Sequence, residues 1–63
     1  MKYLELEKWI KERTNCRFLR NGSRHPIWKN LDTGELFEMS HHRNEEVKSG
    51  TLKSIIKKSG VKF

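Results

Sequence analysis

Apolar residues at Tyr3, Leu6, Trp9 and Ile10 recur three and four positions apart, with Glu5, Glu7, Lys8, Lys11 and Glu12 between them. That spacing follows the turn of a helix, so residues 2–13 are expected to form an amphipathic helix with one buried stripe. Thr14 and Asn15 favour turns over helix and end it. From residue 16 the pattern changes to that of an extended chain. A first strand over 16–20 would turn Cys16, Phe18 and Arg20 to one face and Arg17 and Leu19 to the other. Cys16 then reads as a small core residue.

Asn21-Gly22-Ser23 signals a turn, and a second extended run covers 25–30. It stops at Leu31-Asp32-Thr33-Gly34, where glycine accepts the positive φ that hairpin loops require. A third run covers 35–39, so the last two strands should form an antiparallel hairpin. Pro26 has no N–H for a ladder bond, which places it at an edge or facing away from pairing. Residues 40–49 are polar without a useful period. After them Gly50-Thr51-Leu52 opens a second helix with Leu52, Ile55 and Ile56 on one stripe. Ser49 has the side chain of an N-cap, and Lys57 and Lys58 suit the negative end of the helix dipole. Gly60 fits a left-handed C-terminal position, with Val61 folding back as its apolar partner.

Helix, three strands, helix is an α+β order. A three-stranded antiparallel sheet covered on one face by both helices buries every apolar stripe at once. This is the topology of a double-stranded-RNA-binding domain. The chain has 63 residues, enough for one domain spanning 1–63. A domain this small buries only about 60% of the surface its unfolded chain exposes. The aromatic residues Trp9, Phe18, Trp28 and Phe37 are therefore claimed by the core before any stacking role, with Tyr3 half exposed.

Charge narrows the class of partner. Fourteen Lys and Arg against eight Asp and Glu give a net charge of +6, spread from Lys2 to Lys62. Such a field attracts polyanions, nucleic acid above all, or an acidic protein surface. The single Cys16 excludes an internal disulfide and cannot by itself make a zinc site. Secreted domains of this size are usually stapled by disulfides, so a cytoplasmic protein is expected. No apolar run is long enough for a signal peptide or a membrane span.

One residue carries convenient chemistry. His25 stands in Gly22-Ser23-Arg24-His25-Pro26-Ile27-Trp28, where a basic turn meets an apolar strand, and imidazole both takes and gives a proton near neutrality. The competing reading is a histidine that ends a loop and bonds a carbonyl. Adjacent histidines on an extended segment point to opposite sides, so His41 and His42 make a poor metal pair. No metal or other cofactor is expected.

These residues resemble the HicA toxins of bacterial and phage toxin–antitoxin systems. The resemblance rests on Gly22-Ser23-Arg24-His25 followed by Ile27 and Trp28, on Ser40-His41-His42, and on Gly50-Thr51-Leu52 running into Ile55, Ile56 and Gly60. It implies a compact relative of the double-stranded-RNA-binding fold that cleaves messenger RNA without the ribosome and pairs with a HicB-like antitoxin. It also implies that the functional histidine is His25. A further family histidine, which follows a proline and a basic residue, matches His42, although Ser40 and His41 stand where the family has those two.

On that resemblance His25 is the expected general acid or base of a metal-independent endoribonuclease. RNA contacts are expected from Arg20, Ser23, Arg24, Lys29, His42, Lys53 and Lys57, the lysines of the second helix being otherwise a solvated face. The alternative is a non-catalytic module that grips double-stranded RNA by shape. A DNA-binding regulator fits less well, because no helix-turn-helix pattern appears.

Overall fold

The computed structural model describes residues 1–63. Its elements follow the expected order: α1 (Tyr3–Arg13), β1 (Cys16–Asn21), β2 (Pro26–Asn30), β3 (Leu36–Glu38) and α2 (Ser49–Ser59). The three strands form one antiparallel sheet in the order β1-β2-β3. Leu6 and Ile10 of α1, Ile55 of α2, and Cys16, Trp28 and Phe37 of the sheet meet in one buried cluster with Met39, Val47 and Val61. Both helices thus cover one face, and the other face is left open.

The ends of the helices show why they stop where they do. Thr14 closes α1 twice over, its N–H and its Oγ1 both donating to the Ile10 carbonyl, while Oγ1 accepts from the Cys16 N–H. Gly60 adopts φ +74° and donates to the Ile56 carbonyl, and Val61 is buried as its partner. Ser49 is not the N-cap. It is the first residue of α2; Lys48 occupies the cap position and no side chain caps the turn.

Residues 40–48 build structure rather than merely connecting it. The Glu45 and Arg43 carbonyls accept from the Tyr3 and Leu4 N–H groups, and Val47 N–H donates to the Met1 carbonyl. The first two bonds satisfy amides that an α-helix leaves unpaired at its start. The loop is the N-terminal cap of α1, which has no side-chain cap of its own.

Asn30 plays the same part at the other end of the sheet. Its Nδ2 donates to the Lys58 and Ser59 carbonyls, and its Oδ1 accepts from the Asp32 and Thr33 amides. One buried amide thus ties the β2–β3 loop to the last turn of α2. Gly34, at φ +81°, completes that loop.

Two expectations about strand faces are corrected. Phe18 is not core; it is 51% exposed. Arg20 does not share a face with Cys16 and Phe18, because the β1–β2 register slips by one residue between Phe18 and Arg20. Phe18 pairs with Trp28, whereas Arg20 pairs with Ile27. The extra residue is Leu19, and a one-residue bulge exchanges the faces of everything beyond it. Trp9 is partly buried at the core margin, as is Tyr3. Pro26 lies on the central strand rather than an edge, as its first residue, a position that needs no ladder donor.

Candidate active site

His25 sits in the bend between β1 and β2. Gly22 N–H donates to its carbonyl at 2.8 Å, closing the hairpin tip. Glycine is required there by proximity rather than by φ. A Cβ at position 22 would lie 3.0 Å from the His25 oxygen and 3.2 Å from two carbons of Ile27. The turn also carries Ser23 and Arg24, both exposed.

The His25 side chain is half exposed and turns its Nδ1 toward Glu38 on β3, 3.8 Å from Oε1. That is an ion-pair separation, longer than a hydrogen bond. Nδ1 is the ring nitrogen that approaches the carboxylate, and Nε2 is the one not engaged there. Glu38 pairs with Ile27 across the β2–β3 ladder, so the register places this carboxylate.

Beside the pair lies a groove of about 540 Å³ where the sheet meets α2. Arg20, Ile27 and Glu38 line it from the sheet, and Thr51, Ser54 and Lys58 from the helix. Two cations and two hydroxyls around one carboxylate suit a phosphodiester better than a neutral ligand. The bulge at Leu19 is what turns Arg20 into this groove.

Of the residues singled out from the sequence, Arg20 faces the groove and His25 joins it through Glu38. Ser23 and Arg24 share the hairpin tip with His25. Lys29 is half buried on the open face between its partners Arg17 and Leu36. Lys53 and Lys57 are exposed on α2 but do not line the groove. His42 is exposed in the 40–48 loop, its N–H held by Ser40 Oγ and its carbonyl by Glu45 N–H. Nowhere do three His, Cys, Asp or Glu side chains gather closely enough to hold a metal ion.

Glu38 stands outside the residues singled out from the sequence. Glu38 was within reach of the sequence. Once Asn30 and Glu35 bracket the four-residue loop, antiparallel counting pairs 29 with 36 and 27 with 38. Lys58 is expected, with Lys53 and Lys57, either to track a phosphate backbone or to lie on a solvated helix face; of the three it alone lines the groove, which depends on how α2 packs.

No helix is long and apolar enough to cross a membrane. Comparison with curated proteins and with solved structures gives no match. The family described as HicA toxin of bacterial toxin-antitoxin matches residues 4–61. That span takes in both helices, all three strands, the hairpin tip and the groove. The chain belongs to the HicA toxin family and is the toxin of a toxin–antitoxin system, with a cognate antitoxin as its partner.

Proposed function

We propose that this toxin is an endoribonuclease acting on messenger RNA, with His25 as its general acid or base. The observation that carries the reading is the His25–Glu38 pair at the hairpin tip, next to a groove that offers Arg20 and Lys58.

RNA brings its own nucleophile, the 2′-hydroxyl, so the protein need only move protons and steady charge. His25 Nε2 removes the 2′-hydroxyl proton as O2′ attacks phosphorus, or returns a proton to the departing 5′-oxygen. A bond from O2′ to phosphorus forms as the bond to O5′ breaks, giving a 2′,3′-cyclic phosphate and a free 5′-hydroxyl. Glu38 orients the imidazole. Arg20 and Lys58 hold the phosphate oxygens, where charge accumulates in the transition state. This scheme requires no metal ion.

The groove opens to solvent between the sheet and α2. An antitoxin seated there would deny RNA access and silence the toxin. In the cytoplasm the two then form a hetero-oligomer.

The test is a time course on a long RNA with purified toxin and His25→Ala, alongside a copy carrying 2′-deoxy substitutions. Cleavage by the parent alone, and only where the 2′-hydroxyl is present, is the expected result. RNA left intact by folded parent protein, yet bound, would favour the non-catalytic module. Equal cleavage by His25→Ala would remove His25 from the mechanism.

A further inference from the structure

A second groove lies on the other side of the sheet, between β1, α1 and the 40–48 loop, and Phe18 forms part of its lining. Phe18 is half exposed, yet it is held in place. Its ring meets buried Trp28 edge to face, with centroids 6.5 Å apart and planes at 78°. An edge-to-face contact of this kind fixes the orientation of a ring.

Cations flank it. Lys11 Nζ stands 5.8 Å from the centroid of the Trp28 ring, and Arg43 and His41 line the opposite wall. Glu7 anchors both long side chains, at 3.0 Å to Lys11 Nζ and 3.3 Å to Arg43 Nε. Counted at neutral pH, one carboxylate against two fixed cations leaves the groove positive.

The groove also reaches the hairpin tip. Asn21 and Pro26 pair across β1 and β2, both line the groove, and His25 directly precedes Pro26. The residue next to His25 in the chain is thus part of this groove's lining.

We propose that this groove is a base-binding subsite for single-stranded RNA, in which one base next to the cleaved linkage stacks on Phe18 and its phosphate is held by Lys11 and Arg43. The proposal rests on the RNA-cleaving reading. An aromatic face inside a cationic groove is the pattern by which proteins take up single strands, since every base has a π-face. The occupant is a nucleotide rather than an antitoxin segment, because the cations are fixed around one ring-sized platform.

The test uses His25→Ala, so that binding is read without cleavage, and a short fluorescent single-stranded RNA followed by anisotropy. Adding Phe18→Ala should weaken binding by between about fivefold and a hundredfold. The dependence on salt should not change, because phenylalanine neutralises no phosphate. Phe18→Trp should retain affinity. Phe18→Leu, which keeps an apolar contact with Trp28 but offers no flat face, should bind as weakly as Phe18→Ala. An abasic site at the stacking position should cost the parent the same factor and Phe18→Ala little more.

Parental affinity in Phe18→Ala or Phe18→Leu would overturn the subsite and leave the RNA reading intact. Failure of the His25→Ala background to bind RNA at all would overturn both. Loss of antitoxin binding in Phe18→Ala with RNA affinity unchanged would assign the groove to the partner protein and overturn the subsite.

Discussion

His25 Nδ1 faces Glu38 Oε1 at 3.8 Å across the β2–β3 hairpin, and this pairing makes Glu38 a positioning residue for the proposed chemistry. Glu38→Ala should lower kcat about tenfold while leaving KM near its parental value, within the contribution of roughly 10²–10⁴ expected of the acid–base group itself. Glu38→Gln keeps an acceptor oxygen and should recover part of the loss. Single-turnover cleavage of a short RNA separates the two parameters; equal loss in both variants would argue against an orienting role.

Gly22 tests the hairpin tip without touching the imidazole. Gly22→Ala places a Cβ 3.0 Å from the His25 carbonyl, and crowding of this kind costs about 1–3 kcal/mol. We expect a lower melting temperature together with a larger loss of cleavage. Gly34→Ala is the control. Its site has open space but φ +81°, so it should lose about 1 kcal/mol or more of stability and keep the activity of the molecules that remain folded.

Asn30 should be the most sensitive polar position for stability. Asn30→Ala takes the side-chain donor from the Lys58 carbonyl, leaves the Ser59 carbonyl only the weak Cys16 Sγ donor, and removes the acceptor of two amides in the exposed loop, at about 1–3 kcal/mol for a buried group left unpaired. Asn30→Asp should be at least as damaging, because it turns a carboxylate oxygen toward the two carbonyls that now accept from Nδ2. Urea unfolding followed by Trp fluorescence measures both.

Acid should weaken the cap on α1. The Met1 ammonium donates a hydrogen bond to Glu46 at 2.8 Å, and this contact, with the charge behind it, holds the Glu46 carboxyl below its ordinary value of 4.5. A carboxyl lowered in the folded state adds stability above its unfolded pKa and loses it as pH falls through the folded one. The parent should therefore lose more melting temperature than Glu46→Gln between neutral pH and pH 3. The pair is exposed, so high salt should shrink the difference.

Salt dependence separates the basic residues. Arg20→Ala should reduce the slope of log affinity against log salt for single-stranded RNA by about 0.7, the value for one phosphate contact. Lys53→Gln and Lys57→Gln, which do not line the groove, should leave it unchanged.

Much of the fold was legible because each element announced itself by period and punctuation: the stripe of Leu6 and Ile10, the glycines at 34 and 60, the threonine that ends α1. Long-range complementarity was not. Nothing in the run 16–21 marks Leu19 as the residue without a partner, so strict alternation misplaces Arg20, whereas Phe18 keeps the face it shares with Cys16 and is exposed there. The 40–48 loop has no period because its work is done by carbonyls, which carry no side-chain signature. For the site, the chemistry of His25 was readable and its partner Glu38 was obtainable by counting register. The approach of Lys58 to the sheet was not.

The bulge at Leu19 has a genetic consequence. Deleting that one codon would remove the unpaired residue and restore an unbroken ladder with β2. Arg20 would still stand opposite Ile27 and Asn21 opposite Pro26, so the arginine keeps its place beside the His25 groove and the core is left as it is. Among mutants selected for survival when the toxin is expressed without its antitoxin, changes at His25 should recur and in-frame loss of Leu19 should not, because that deletion leaves a protein that folds and still kills.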